Sequence, residues 1–253
     1  MMIFRLFTLG LALSLCISGA WAAPASMRMS TGTEISLRTF PGEDNTLMLG
    51  FPCDEGLGAQ EARSSQALAG LGLEAWLPDM LGSHGLPVAP SSMEQIPPEE
   101  VAEVIDQAVK LSGKKVVLVT TGRGAVPILQ GARIWLDRAT PQERAALIGA
   151  ILFSPDLYSV KPAPGVEARY HKIVAQTSMP VFIYQGQRSP GRWWLEHLKV
   201  EFTRGGSRIS SKVLPNVRGF FYAAQDPTDE EKAMTERLPE LILDAIKQLE
   251  STR

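Results

Sequence analysis

Short apolar runs alternate with amphipathic stretches along the chain, and the two periodicities separate strands from helices. Residues 34–39 alternate apolar and polar positions, the period of a half-buried strand. After the turn "PGEDN", the run "TLMLGF" has no polar interruption, as expected of a strand covered on both faces. Apolar residues return at helical spacing over 58–71, and "LEAWLP" follows as a third strand. Pro97-Pro98-Glu99-Glu100 is a helix start, with proline and acidic residues in the first turn. Val101, Val104, Ile105, Ala108 and Val109 then form an apolar stripe that ends near Ser112-Gly113.

"KKVVLVT" reads as the central strand, and 125–136 as the helix after it. "LIGAILFSP", "MPVFIYQG" and "SRISSKVLP" supply three more strands, with a helix over 193–202 between the last two. Leu238, Leu241, Ile242, Ala245, Ile246 and Leu249 mark a C-terminal helix. This alternation predicts an α/β fold: a mostly parallel sheet with helices on both faces. Residues 81–95, rich in Gly, Pro and Ser, read as a long loop, a candidate lid or contact surface.

The first residues change the picture of where the protein works. Arg5 precedes an apolar run over 6–17, and "AWAA" follows as a small-residue cleavage signal. Residues 1–22 are expected to be a signal peptide cut after Ala22, leaving 23–253 as a single exported, periplasmic domain. Cys16 leaves a lipoprotein alternative open, although Leu15 stands where a small residue is expected. No later segment approaches the roughly 20 apolar residues of a bilayer span, so stable membrane insertion is not expected. The formal net charge of −2 gives no global electrostatic reason to bind nucleic acid. Beyond the signal a single cysteine remains, Cys53, which cannot form an internal disulfide.

Candidate chemistry centres on "VVLVTTGRGAVPILQGA", a buried strand, a glycine turn and a helix. With "LMLGFP", "GAILFSP" and "MPVFIYQGQRSP", it resembles the α/β-hydrolase fold over the whole mature chain. The roughly 25 residues between the last two segments leave no room for a large cap domain. The resemblance implies a nucleophile at the turn, an acid after "VFIYQG" and a histidine after the last strand. Gly122 occupies the nucleophile position and Ser189 the acid position, and no histidine follows His197. All three triad positions are therefore expected to be empty, a pseudoenzyme pattern. A displaced esterase-like site would have to draw on Thr121 as nucleophile, His84 as base and Asp156 as acid.

Ligands of open α/β sheets bind beyond the carboxyl ends of the strands. Arg123, Arg188, Arg192 and Arg218 come from three loops, with Trp193 beside them and the acidic Asp54 and Glu55 after the second strand. Arg123 opens a helix, where free N–H groups favour an anion, and Gly122 and Gly124 permit close backbone approach. These residues are the expected ligand-binding set, for a small anionic ligand or a periplasmic protein partner. Their alternative is pairing with Asp54, Glu55 and Asp156 as ordinary rim charges. Cys53 is expected at the same edge, as a reactive thiol candidate or an inert buried one. "GRGA" and "VRGFFY" are loosely similar to exported modules that occur joined to thioredoxin-like domains, which implies a thioredoxin-like partner for a thiol or redox accessory role. No spacing of His or Cys suits a metal, and no cofactor is called for.

Overall fold

The computed structural model describes residues 25–53, 56, 58–163 and 165–251. The expected signal peptide, Cys16, and the strand-end residues Asp54 and Glu55 lie outside the described residues. Strands β1 (Ser26–Arg28), β2 (Glu34–Phe40), β3 (Thr46–Gly50), β4 (Glu74–Pro78), β5 (Lys115–Thr121) and β6 (Leu147–Phe153) belong to one sheet. A small antiparallel hairpin, β7 (Tyr158–Val160) and β8 (Arg169–Tyr170), stands apart. The main sheet is completed by β9 (Val181–Gly186) and β10 (Ile209–Leu214), in the order β1-β2-β4-β3-β5-β6-β9-β10.

Pairing is parallel from β4 to β10 and antiparallel at the β1–β2–β4 end. The burial pattern follows from the side-chain periods. Strands β5, β6 and β9 are buried almost throughout, whereas β2 alternates and the edge strand β10 carries Ser210, Ser211 and Lys212. A polar edge discourages pairing with another chain.

The helices are α1 (Ala59–Gly70), α2 (Met80–Ser83), α3 (Pro90–Met93), α4 (Pro98–Ser112), α5 (Ala125–Arg138), α6 (Pro141–Ala146), α7 (Leu195–Arg204), α8 (Asp229–Glu236) and α9 (Leu238–Ser251). Helices α4, α5 and α7 bury one face of the sheet, and α1 and α9 the other, giving two apolar cores on either side of it. Among the described residues, no cap domain lies between β6 and β9, only the β7–β8 hairpin and a 3₁₀ turn at Val174–Gln176. Among the described residues, no helix is long and apolar enough to cross a membrane.

The elements expected from periodicity are present with small shifts, and the differences have local causes. The 81–95 stretch holds most of the single-turn helix α2 and all of α3. Asp79 caps α2 by accepting a 2.9 Å hydrogen bond from the Gly82 amide, and Pro90 opens α3. The helix expected from 193 begins as a 3₁₀ turn, Pro190–Trp194, and becomes α-helical at Leu195. Helices α6 and α8 were not legible from apolar spacing. Each starts with a reciprocal capping box, Thr140 with Glu143 and Thr228 with Glu231, a polar signal that apolar periodicity misses.

Candidate functional site

The residues of interest gather where β3, β5, β6, β9 and β10 end. Thr121 finishes β5 in an extended conformation, Gly122 turns the chain at φ +57°, and α5 starts three residues later. A left-handed tip costs glycine little, which accounts for its presence there. Gly124 is required for a different reason. A β-carbon there would lie 2.5 Å from Thr120 Oγ1 and 2.6 Å from the Pro52 carbonyl oxygen. The elbow is thus packed directly on the loop leaving β3, with Cys53 Cα only 3.3 Å from the same point.

The hydroxyl of Thr121 accepts a 2.7 Å hydrogen bond from Tyr222 Oη, in the loop following β10. Burial pushes the Tyr222 phenol well above its ordinary pKa, helped by the neighbouring Cys53 and Glu61. A neutral phenol is a donor here and no base for Thr121. Cys53 is 3% exposed, and its Sγ lies 3.9 Å from Tyr222 Oη and 3.7 Å from the Gly56 carbonyl oxygen. A protein disulfide needs the two β-carbons within about 4.5 Å, which a side chain so enclosed does not offer.

The histidines are dispersed. His84 lies 2.9 Å from Glu100, which also accepts hydrogen bonds from the Thr31 and Thr33 hydroxyls, so the pair fastens the segment after β4 to α4. His171 Nδ1 accepts from the Ile173 amide, and burial followed by the nearby Arg123 charge lowers its pKa. His197 packs between Tyr170 and Trp194, near Glu167 and Glu201. Among the described residues, no histidine is hydrogen-bonded to a Ser, Thr or Cys side chain, and no hydrogen bond or ion pair joins Thr121, His84 and Asp156.

Small side chains stand at the corner where the resemblance implies acid and base. A β-carbon on Gly219, in the loop after β10, would lie 3.5 Å from Ser189 Oγ and 3.6 Å from Ser154 Oγ. Ser154 is held at φ +41°, and its hydroxyl accepts from the Gly186 amide at 3.2 Å.

The four arginines do not share one set of neighbours. Arg123 donates to the carbonyl oxygen of Tyr158 at 2.6 Å and to the carboxylate of Glu94, with the Asp156 carboxylate 3.8 Å away. That contact holds the Glu94 carboxyl below its ordinary pKa. Arg218 is clamped on the far side. Its Nε and Nη2 bond the two oxygens of the fully buried Glu231 at 2.8 and 2.7 Å, and Nη1 reaches Asp226 at 3.1 Å. The clamp pulls the Glu231 carboxyl down to about 2 and raises Arg218. Arg188 and Arg192 are exposed, and the Arg192 guanidinium stands 5.2 Å from the ring centre of Trp193, which is 79% exposed.

Sequence reasoning therefore missed Glu94, Glu231, Tyr222 and Glu61. Glu231 carried a readable signal, the Thr228–Glu231 capping box, and Tyr222 lay at the end of "VRGFFY". Glu94 carried none, since its partner is 29 residues away.

No family model and no curated protein matches the sequence. Solved structures do match. A candidate dienelactone hydrolase from Klebsiella pneumoniae is 13% identical with a TM-score of 0.61, covering 87% of this chain and 95% of that one. A dienelactone hydrolase-like promiscuous phosphotriesterase from metagenomic libraries is 14% identical with a TM-score of 0.58, over 89% and 96%. Thermogutta terrifontis esterase 2 is 16% identical with a TM-score of 0.56, over 88% and 95%. At such identities the likeness is one of architecture, and together with the strand order it shows that the chain has the α/β-hydrolase fold.

Proposed function

We propose that this protein is an exported, non-catalytic α/β-hydrolase-like module that binds an anionic group, on a ligand or a protein partner, at the carboxyl edge of the sheet. The observation that carries the reading is the elbow. Its tip is Gly122, the adjacent Thr121 hydroxyl is bonded to a neutral tyrosine, and no hydroxyl or thiol is hydrogen-bonded to a histidine among the described residues. Acyl transfer needs a nucleophile and a base within hydrogen-bond reach of one another.

Within the edge, the Pro190–Trp194 turn is the part open to a partner. Arg123 and Arg218 already bond carboxylates of their own chain, whereas Trp193 is exposed beneath Arg192, with Arg188 nearby in sequence. Exposed Trp and Arg are the side chains that most often carry binding energy in interfaces, and the two cations suit an acidic partner surface. Carboxylate-bearing partners are accordingly favoured over a small anion buried at the elbow.

The test joins an activity arm to a binding arm. The purified protein is assayed against a panel of short- and medium-chain esters and with a serine-reactive fluorophosphonate. No turnover and no labelling are expected. Turnover abolished by Thr121→Ala, His84→Ala or Asp156→Ala would overturn the reading in favour of a displaced hydrolase site. In the binding arm, Trp fluorescence is titrated with poly-glutamate, and the salt-sensitive response is expected to disappear in Arg192→Ala/Trp193→Ala.

A further inference from the structure

On the α1/α9 face of the sheet, below the elbow, an inner chamber of about 70 Å³ opens beside Tyr222. Most of its wall is apolar, from Met48, Leu77, Val119, Phe153, Leu238 and Ile242. Its polar side chains are Thr120, Thr121, Tyr222, Glu61 and two serines of α1, with the Cys53 thiol beside them. Ser64 and Tyr222 also line an outer groove of about 590 Å³ between α1 and the 221–239 segment, so these two side chains stand between groove and chamber.

The serines are an independent sign that the space is built in. Ser64 and Ser65 are buried on α1, Ser65 at 1% exposure, at positions where a helix packed on a sheet ordinarily presents large apolar side chains. Serine neither favours a helix interior nor fills the volume, so each works against local stability unless the space serves something. Charge is poorly tolerated at this depth. Desolvation raises the Glu61 carboxyl, against the opposing pull of the Glu61 and Gly58 amides and of Arg38 and Arg63. Among the described residues no Lys or Arg lines the chamber, whereas Arg63, Lys232 and Glu236 line the outer groove, so it is the chamber that disfavours charge.

We infer that chamber and groove form a binding site for a small uncharged amphiphile: a few aliphatic carbons in the chamber, with a hydroxyl or amide group near Tyr222 and Thr121. The size is consistent with a group of a few heavy atoms, set against the roughly 150 Å³ cavity that accepts benzene. An apolar, poorly hydrated wall with a few convergent polar groups is the usual form of such sites. This site is separate from the Arg192–Trp193 edge, and either can fail without the other.

Cys53 reports occupancy from inside the chamber. The full-length folded protein is treated with methyl methanethiosulfonate, a small uncharged thiol reagent, and modification is read at Cys53 by peptide mass spectrometry, which separates it from Cys16. The probes are 1-hexanol and, as a charged counterpart, hexanoate at pH 7.5. The expected result is that Cys53 reacts in the folded protein, that saturating 1-hexanol slows the reaction at least threefold, and that hexanoate at equal concentration does not. Ser65→Leu, which fills the chamber, is expected to remove the hexanol effect. Should that variant not fold, Ser64→Trp between groove and chamber serves, with circular dichroism checking its fold. A Cys53 that reacts only after unfolding, protection equal for hexanol and hexanoate, or undiminished protection in a folded Ser65→Leu or Ser64→Trp protein would each overturn the inference.

Discussion

Tyr222 Oη donates to Thr121 Oγ1 at 2.7 Å, joining the loop after the last strand to the residue before the elbow tip across 101 positions of sequence. In the hydrolases the resemblance invokes, the same two segments supply the base and the nucleophile. Here they meet through a phenol and a threonine hydroxyl, and the contact holds the strand end together.

The bond is therefore expected to act on stability. Tyr222→Phe should lower unfolding free energy by about 1 kcal/mol, the usual net worth of a neutral hydrogen bond. A double-mutant cycle with Thr121→Val, followed by urea denaturation, should give a coupling energy of about 1 kcal/mol. Additive effects of the two changes would show that the bond contributes nothing.

Placing a hydroxyl at the elbow tip should not create an esterase. Gly122→Ser supplies the missing side chain at φ +57°, at a cost of about 1 kcal/mol for the left-handed backbone. No histidine is hydrogen-bonded to the neighbouring Thr121, so p-nitrophenyl acetate hydrolysis should stay at background. Turnover above background in this variant would reveal a base at the tip.

Gly124→Ala tests how tightly the elbow sits on the β3 loop. The added β-carbon would approach Thr120 Oγ1 and the Pro52 carbonyl oxygen to within 2.6 Å. Overpacking of this kind costs about 1–3 kcal/mol, read as a lower urea midpoint at unchanged slope.

Acid should weaken the Arg218–Glu231 clamp. The folded-state pKa of Glu231 is held down to about 2, below the ordinary 4.5, because Arg218 bonds its charged form. Protons then bind the unfolded chain more readily than the folded one. The stabilisation is complete above about pH 4.5 and is lost as pH falls toward 2. Glu231→Gln should flatten that part of the stability–pH curve and cost about 2 kcal/mol near neutrality. An unchanged acid limb in the variant would show that the clamp is not its source.

Arg123 fastens the 80–97 segment to the elbow through Glu94, and holds the start of β7 through the Tyr158 carbonyl oxygen. Arg123→Ala should accelerate amide hydrogen exchange in that segment with little effect on β5 or β6, whose amides are buried in the sheet.

The architecture was legible because burial on two faces leaves an unbroken apolar run, and a surface helix leaves a 3.6-residue stripe. "TLMLGF", "KKVVLVT", "LIGAILFSP" and "MPVFIYQG" read as strands from their apolar runs, and the sheet places them side by side as β3-β5-β6-β9. The glycine at the elbow tip and the absence of a histidine after His197 were equally plain. Pairing was not. Arg123 looked like a residue waiting for an anion, yet Glu94 and two carbonyl oxygens stand around it. Arg218 looked the same and is clamped by a buried carboxylate. A charge's partner depends on distances set by chain segments far apart in sequence, which no periodicity records. The chamber behind Tyr222 belongs to the same class, since a cavity is the space left between α1, α9 and the sheet once they pack. Sequence by itself determined the layers and the residues at the turn and strand ends, Gly122 and Ser189 among them, because hydrophobic period and residue identity are local. Only the tertiary structure decided which charges are satisfied, where Cys53 points its thiol and what volume remains unfilled, because each is a relation among residues that folding alone brings together.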